Sequence, residues 1–468
     1  MNVSLLCLLC YFYRMKRIIA FLAVSVFAIQ LSAKDSLVLK RISDEIMLRG
    51  TCYENLRVLC KTVGHRLSGT PQAAKAVEWG QKALALAGAD KVWLQPVDVP
   101  HWIRGKESLK FQSGNSKTPV EVPVLSIGNT VGTNGKVLSA PLIMVNNIEE
   151  FNALPAEKVK GKIVFFNYHF RQDLINTFEG YGDCGKYRWS APNMAAAKGA
   201  VGTIIRSLST GLDDAPHTGS MRYADTVKPI PAMAIGNTSA DMLEKKIKQG
   251  DVTALMQSEC RMGSTVRSYN VIGEITGSEH PEKIVLVGGH LDSWDVGEGA
   301  HDDGAGCVQS IEVIRAMKAL GIRPKHTVRA VLFMNEENGL RGGFAYADSA
   351  KAKNEKHILA IETDAGGFSP RGIGLDMSDH RKEQIQMYRN LFLPYGVYDF
   401  EQEHGGADIS PLKRQGVALA GLVPDPQRYF DLHHTANDVF EAVNHRELKL
   451  GAFTLTALVY LVSEYGLK

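Results

Sequence analysis

Strand-like and helix-like runs alternate from Tyr269 to the end of the chain, and this alternation constrains the fold more than any other feature. Short β-branched runs are typical of buried strands, whereas longer runs with apolar residues three and four apart are typical of amphipathic helices. The predicted strands are Lys283–Val287, Thr327–Met334, His357–Ile361 and Val417–Leu422, and the predicted helices are Gly304–Leu320, Gly339–Ala350 and Glu447–Tyr465. This order predicts an α/β fold with a mainly parallel sheet covered by helices on both faces.

A helix and a separate group of short strands come before this region. Thr70 and Pro71 are suited to be the N-cap and first residue of a helix. Further strands are predicted at Pro141–Val145, Gly161–Phe166, Gly202–Ile205 and Ile230–Ile235, with a small-residue helix at Asn193–Gly199. We therefore expect residues 34–115 and 258–468 to form one main domain and residues 116–257 to be an insert. The insert resembles a protease-associated domain in the pieces Lys160–Val164, Ala196–Ala200 and Ile230–Pro231.

The first 33 residues have the layout of a secretory signal peptide. A basic cluster within residues 14–17 precedes an apolar run over residues 18–29, and small residues follow up to Ala33. An uncleaved signal anchor and a translation start at Met15 are the open alternatives. Cleavage after Ala33 predicts a secreted or periplasmic protein without a stable membrane span.

Charge and cysteine content narrow the class of protein further. The formal net charge is +3, and residues 1–33 contain three basic residues and no acidic one, so their removal brings the net charge to zero. A neutral chain gives no indication of a nucleic-acid partner. Cleavage would leave cysteines at positions 52, 60, 184, 260 and 307, an odd number without the spacing of a zinc finger. Cys52 and Cys60 are a candidate disulfide pair.

Polar side chains follow the first two predicted strands of the main domain. His290 ends one strand, and Asp292 lies at an offset from which its carboxylate can accept the far ring N–H of a metal-bound imidazole. Glu336 and Glu337 end the next strand, and two adjacent carboxylates are costly to bring together unless a cation neutralises them. Ligands in such sheets bind beyond the carboxyl ends of the strands. We therefore expect a metal site there.

Three further positions complete the expected site, each with an alternative neighbour. Asp302 is suited to bridge two cations, whereas Asp303 is suited to be the N-cap of the helix that follows.

The third predicted strand is followed by Asp364, with Glu362 as an alternative ligand on the same face. His434 is the preferred last imidazole, with Asp438 as its orienting partner, although His433 is equal on chemistry alone.

Together these residues predict a dinuclear zinc site. One metal would be bound by His290 with Glu337 or Asp364, and the other by His434 with the remaining carboxylate. Asp302 would join the two metals at roughly 3.5–4 Å separation. Glu336 would move protons during attack of a water or hydroxide, held between the metals, on an amide carbonyl.

The same residues carry a resemblance to a known family. The blocks His290–Ser293, Asp302–Gly306, Asn335–Gly342, Asp364 and His434–Asp438 are similar to those of the dinuclear-zinc exopeptidases, which include bacterial leucyl aminopeptidases and glutamate carboxypeptidases. The resemblance covers essentially the whole of residues 34–468. It implies two Zn²⁺ per chain, Glu336 as general base, and the ligands His290, Asp302, Glu337, Asp364 and His434 rather than Glu362 or His433.

The resemblance also implies a substrate class and a pocket. We expect hydrolysis of short peptides, above all dipeptides, with either the free carboxylate or the free amine anchored, and a possible homodimer. Trp294, His404 and Asp408 are expected to line the substrate pocket by family position, with the run Arg428–Phe430 at its edge. A glutaminyl-cyclase-like transferase, expected to use one zinc, and a non-catalytic binding module are the alternatives. The latter should have lost ligand residues, whereas every position here is filled.

Overall fold

The structure, a computed structural model, describes residues 33–114, 116 and 118–468. The signal peptide expected over residues 1–33 therefore lies outside the described residues apart from Ala33. Within the described part of the chain, no helix has the length and apolar character needed to cross a bilayer.

Helices and strands alternate through the described chain. The strands are β1 (Lys91–Val99), β2 (Trp102–Ile103), β3 (Glu107–Ser113), β4 (Val120–Val122), β5 (Val124–Ser126), β6 (Leu138–Val145), β7 (Ile163–Phe166), β8 (Gly202–Arg206), β9 (Ala232–Ile235), β10 (Val252–Ser258), β11 (Arg261–Met262), β12 (Val266–Ile275), β13 (His280–His290), β14 (His326–Phe333), β15 (Lys356–Glu362), β16 (Pro370–Asp376) and β17 (Ala418–Pro424). The helices are α1 (33–49), α2 (Cys52–Val58), α3 (Pro71–Leu86), α4 (Ile148–Ala153), α5 (Ala156–Val159), α6 (Thr177–Cys184), α7 (Lys186–Trp189), α8 (Ala191–Ala197), α9 (Asn237–Gln249), α10 (Ala305–Ala319), α11 (Arg341–Ala352), α12 (Asp379–Gln386), α13 (Arg389–Phe392), α14 (Tyr429–Leu432) and α15 (His445–Tyr465). The start of α3 is as predicted, because Thr70 Oγ1 accepts a hydrogen bond of 3.2 Å from the N–H of Ala73.

The main sheet is mixed, which corrects the prediction of a mainly parallel sheet. Its strand order is β1-β12-β14-β13-β15-β17-β16. The central strands β14, β13, β15 and β17 are parallel, whereas β1, β12 and β16 are antiparallel to their neighbours. The connection 276–279 between β12 and β13 is too short for the crossover that parallel strands require, so these two strands run in opposite directions on either side of β14.

Helices cover both faces of the main sheet. Side chains alternate between the two faces along β13, so Val285 and Val287 join the core formed with α10 and α15, while Leu286 joins the core formed with α11. Full burial of such a side chain contributes about 1.5–3 kcal/mol. The packed faces fix where each strand ends, and the predicted site residues follow those ends.

A second sheet contains the strands predicted for the insert. Its order is β4-β3-β10-β6-β7-β8-β9-β5, and β6, β7, β8 and β9 run parallel. The small-residue helix α8 precedes β8, close to its predicted position. The sheet begins with β3 at Glu107, before the expected start of the insert at residue 116.

The structure also corrects the candidate disulfide. Cys52 and Cys60 are both buried free thiols, as are the three other cysteines of the described chain. Burial raises the pKa of Cys60 to about 12. These thiols therefore act as small apolar core residues.

Candidate active site

The carboxyl ends of three neighbouring parallel strands bring the predicted ligands together. His290 is the last residue of β13, Glu337 follows β14, and Asp364 follows β15. Asp302 lies in the turn 300–304 that leads into α10, and His434 follows α14. All of these residues except Asp364 are buried or nearly so.

Asp302 is central to the geometry. Its Oδ1 is 3.0 Å from His290 Nε2, and its Oδ2 is 3.1 Å from His434 Nε2. Asp364 Oδ1 lies 3.5 Å from His290 Nε2, while Glu337 Oε2 lies 3.2 Å from His434 Nε2. Ligands about 2.0–2.1 Å from one tetrahedral zinc are separated by about 3.3 Å. The side chains thus form two candidate half-sites that share Asp302, with Asp364 on the His290 side and Glu337 on the His434 side.

The donor set fits divalent cations. His290 Nε2 is buried and faces carboxylate oxygens of Asp302, at 3.0 Å, and Asp364, at 3.5 Å, so all three groups can bind the same cation. Burial, with Asp302 nearby, raises the pKa of Glu337 to about 7. Burial alone would raise the pKa of Asp302 as well, but hydrogen bonds from His290 and His434 hold it well below its usual range. Two cations would neutralise this buried cluster of carboxylates.

Asp292 has a different role from the one predicted for its side chain. Its carboxylate is 3.9 Å from His290 Nδ1, which instead lies 3.0 Å from the main-chain oxygen of Asp292. The carboxylate Oδ1 accepts hydrogen bonds from the N–H groups of Asn335, at 2.7 Å, and Glu336, at 3.1 Å. Asp292 therefore orients the imidazole through its backbone and holds the turn that presents Glu336 through its side chain.

Asp438 likewise does not contact the ring of His434. Its carboxylate accepts hydrogen bonds from the N–H groups of His301, at 2.7 Å, and Asp302, at 3.1 Å, and so fixes the turn that carries the bridging residue. His434 Nδ1 instead lies 3.2 Å from the carbonyl oxygen of Thr218 and 3.4 Å from Nη1 of Arg188. This carbonyl belongs to the segment between β8 and β9, so the second sheet orients one predicted metal ligand.

The alternative ligands have other partners. Glu362 accepts a 3.0 Å hydrogen bond from the N–H of Ile409. Asp303 accepts from the N–H of Gly306, at 3.0 Å, in the first turn of α10, and from the N–H of His290, at 2.9 Å, whereas the N-cap residue of α10 is Gly304 and not Asp303 as predicted. His433 stacks on His434 with ring centroids 3.5 Å apart, and its Nε2 is 3.9 Å from Asp302 Oδ2. His433 is therefore beside the metal site, farther from the bridge than His434.

Glu336 faces a cavity of about 890 Å³ that also borders Asp302, Glu337, Asp364 and His434. Burial raises the pKa of the Glu336 carboxyl well above its usual range. A raised pKa makes the ionised carboxylate a stronger proton acceptor than an exposed glutamate.

The residues predicted to line the substrate pocket are distributed differently. The ring of Trp294 is buried edge-on to His434, with ring centroids 5.7 Å apart, and the main-chain N–H of Trp294 donates to Glu337 Oε1 at 3.2 Å. His404 borders a separate cavity of about 400 Å³, and Asp408 is buried beneath the site. The main cavity is instead bordered by Tyr429 and Phe430, which were predicted to lie at the edge of the substrate pocket. Residues that the sequence did not single out border it as well, and they belong to the connections between strands of the second sheet: Phe178, Tyr181, Arg188, Trp189 and Ser220–Tyr223.

A mixed sheet with two imidazoles and three carboxylates arranged in this way at its carboxyl edge is the architecture of a metal-dependent hydrolase. Residues 270–459 match Peptidase family M28. The chain is 34% identical to human carboxypeptidase Q over 413 residues, which is 88% of this chain and 85% of that protein. The chain therefore belongs to peptidase family M28, and the predicted class of zinc exopeptidase is confirmed.

Solved structures agree with this assignment. The crystal structure of a Peptidase M28 precursor from Shewanella amazonensis is similar with a TM-score of 0.88 and 32% identity, covering 93% of this chain and 99% of that one. The zinc aminopeptidase BSAP from Bacillus subtilis has a TM-score of 0.62 at 21% identity, covering 88% of this chain and 94% of that one, and shows the same fold. Within the family, the stretch His290–Gly297 and the insert indicate a likeness to carboxypeptidase Q from sequence alone, and the 34% identity confirms that likeness.

Proposed function

We propose that this protein is a dinuclear zinc exopeptidase that hydrolyses dipeptides and other short peptides. The observation that carries the proposal is the position of Asp302, whose two carboxylate oxygens lie 3.0 and 3.1 Å from the Nε2 atoms of His290 and His434. His290, Asp302 and Asp364 would hold one zinc ion, and His434, Asp302 and Glu337 the other. When bound, the two zinc ions supply Lewis acidity, which lowers the pKa of water and polarises the substrate carbonyl.

Glu336 would be the general base. It takes a proton from the attacking water as the water oxygen adds to the carbonyl carbon, and it delivers that proton to the amine nitrogen as the C–N bond breaks. Asp292 keeps Glu336 in place through the 3.1 Å hydrogen bond to its N–H. The residues of the second sheet that border the cavity would limit the length of the peptide that can enter.

Two further assignments belong to this proposal. The second sheet would be a protease-associated domain inserted into the peptidase domain, with a role in shaping the cavity. The first 33 residues would direct export, so that the mature enzyme acts outside the cytoplasm.

Metal removal and one substitution test the proposal. Chelation should abolish hydrolysis of dipeptides, and added zinc should restore it; hydrolysis that continues in fully metal-free protein would refute the zinc mechanism. Glu336→Gln should retain two zinc ions per chain and lose about 10²–10⁴-fold in kcat, the usual contribution of a general base. Glu337→Gln is the matched comparison, because the same chemical change one residue along should lower the zinc content. Turnover retained by Glu336→Gln would exclude Glu336 as the base.

A further inference from the structure

The main cavity has an unusual charge distribution. The acidic residues that border it are Asp302, Glu336, Glu337 and Asp364, all of which belong to the proposed metal site. The remaining described lining has three arginines, Arg188, Arg222 and Arg341, and no aspartate or glutamate. Once cations neutralise the metal site, the cavity is positive and favours an anionic substrate.

Arg188 is the one of these arginines that is buried, at 5% exposure. Its Nη1 is 3.4 Å from the carbonyl oxygen of Thr218, and its Nη2 donates to the hydroxyl of Tyr181. Among the described residues, its polar contacts are with Thr218, His434 and Tyr181, none of which is a carboxylate, and its Nε has no hydrogen-bond partner. Buried charges in proteins are normally paired, so an unpaired guanidinium beside a substrate cavity indicates an anion that comes from outside the chain.

Tyr181 borders the cavity, and its hydroxyl oxygen accepts the hydrogen bond from Arg188. Its ring packs against Phe430, with centroids 4.8 Å apart, and against His433, at 5.2 Å, so the hydroxyl has a fixed position. Because the oxygen accepts from Arg188, its own proton is free for another acceptor, and no described residue accepts it. Burial raises the pKa of Tyr181, so the group remains a donor.

The pair lies close to the proposed metals. Arg188 Nη1 is 3.4 Å from Nδ1 of His434, the ring whose Nε2 faces the bridging Asp302. In a peptide, the terminal carboxylate follows the scissile bond by one residue, which spans about 3.8 Å. A carboxylate receptor that is in contact with a metal ligand therefore suits removal of a single C-terminal residue.

We propose that Tyr181 and Arg188 bind the free α-carboxylate of the substrate and thereby make this enzyme act at the C-terminal end of a peptide. The inference rests on the proposed exopeptidase function. Tyr181 donates its hydroxyl proton to one carboxylate oxygen, and Arg188 supplies the balancing positive charge. Arg222 and Arg341, which are exposed at the rim, would attract the anionic end towards the cavity.

The test compares one dipeptide with its C-terminal amide. A hydrogen bond to a charged group contributes about 1.5–3 kcal/mol, so zinc-loaded wild-type enzyme should prefer the free acid by about 100-fold in kcat/KM. Tyr181→Phe should lower this acid-to-amide ratio about tenfold, mainly by raising KM for the acid. Arg188→Met should lower the ratio further, and Arg188→Lys, which keeps the charge, should recover part of it. Arg446→Met removes an exposed arginine of α15 outside the cavity and is the control for net charge.

Two results would refute the inference, and a third would refute the proposed function instead. If Tyr181→Phe, the smaller change, slows the acid and the amide equally, the hydroxyl acts in the transition state or in packing, and the inference is wrong. The inference is also wrong if wild-type enzyme hydrolyses acid and amide equally while an N-acetylated dipeptide is resistant, since the amine would then be the anchored end. Failure of the proposed function looks different, because neither substrate would be hydrolysed in a zinc-dependent way.

Discussion

Two buried glutamates allow a proposed metal ligand, Glu337, to be compared with Glu362, a carboxylate held by main-chain hydrogen bonds. Glu337 lies 3.2 Å from His434 Nε2, whereas Glu362 accepts hydrogen bonds from the N–H groups of Asp408 and Ile409. Burial raises the pKa of both carboxyl groups to about 7. In the absence of metal, burial therefore favours the neutral form of each carboxyl group, so replacement by the neutral glutamine should cost little stability in either place. The two variants should differ only when zinc is present.

The expected size follows from binding linkage. Zinc at 100 times its dissociation constant stabilises the folded state by about 2.7 kcal/mol per site, or about 5.4 kcal/mol for two sites. The entropy of unfolding is about 2.1 cal/mol/K per residue, which for this chain gives about 1 kcal/mol/K and a rise in Tm of about 5 °C. Glu337→Gln leaves the half-site of His290, Asp302 and Asp364 intact. Its zinc-induced shift should therefore fall to about 2–3 °C, whereas Glu362→Gln should keep the full shift.

Thermal unfolding of chelated and zinc-loaded protein, together with zinc content by mass spectrometry, measures both quantities. The arrangement of half-sites would be refuted if Glu362→Gln lost zinc and Glu337→Gln retained two ions. An equal, full shift in both variants would show that Glu337 is not a ligand. Asp364→Asn provides the complementary test, since it should reduce the zinc-induced shift by removing the other terminal carboxylate.

Two further predictions concern the fold around the site. Thr70→Ala removes the hydroxyl group that accepts a 3.2 Å hydrogen bond from the N–H of Ala73 at the start of α3. The free energy of unfolding measured by urea titration should fall by about 1 kcal/mol. Thr70→Ser retains the capping hydroxyl and is the control. Burial, with Arg329 nearby, lowers the pKa of His357 from 6.5 to about 3, so the unfolded chain takes up a proton there first as the pH falls. The contribution of neutral His357 to the free energy of unfolding is complete above pH 6.5. This contribution is lost as the pH falls towards 3, by up to about 1.4 kcal/mol per pH unit. His357→Gln should therefore flatten the acid limb of a stability-against-pH curve, and an unchanged slope would contradict the assignment.

The sequence was sufficient to predict the residues at the strand ends because a strand end is a local feature. The apolar run Lys283–Val287 predicts a buried strand, and His290, which follows it, is thereby placed at the carboxyl edge of the sheet. The antiparallel strand β1 was not predicted, because β1 pairs with β12 across a separation of more than 160 residues, and nothing local encodes that pairing. The strand direction at the edges of the sheet depends on such tertiary contacts.

The main-chain groups that orient the two histidines could not be predicted from the sequence either. The oxygen that orients His290 belongs to the backbone of Asp292, and the one that orients His434 belongs to the backbone of Thr218. Every residue carries a carbonyl group, so no residue type indicates which one will be used. The sequence therefore suggested the carboxylates of Asp292 and Asp438, which the structure uses to fix the neighbouring turns.

The two half-sites consequently depend on different parts of the chain. The half-site around His290 is built from the main sheet and its connections, whereas His434 is held from behind by Thr218 and bordered by Arg188, both from the connections of the second sheet. The same connections supply Tyr181, which we propose to bind the substrate. Because the segment between β8 and β9 orients the proposed metal ligand His434 and also borders the cavity, a change in the second sheet should alter metal affinity at the His434 side and substrate binding together. The second sheet is thus a structural component of the active site, in addition to forming one wall of the cavity.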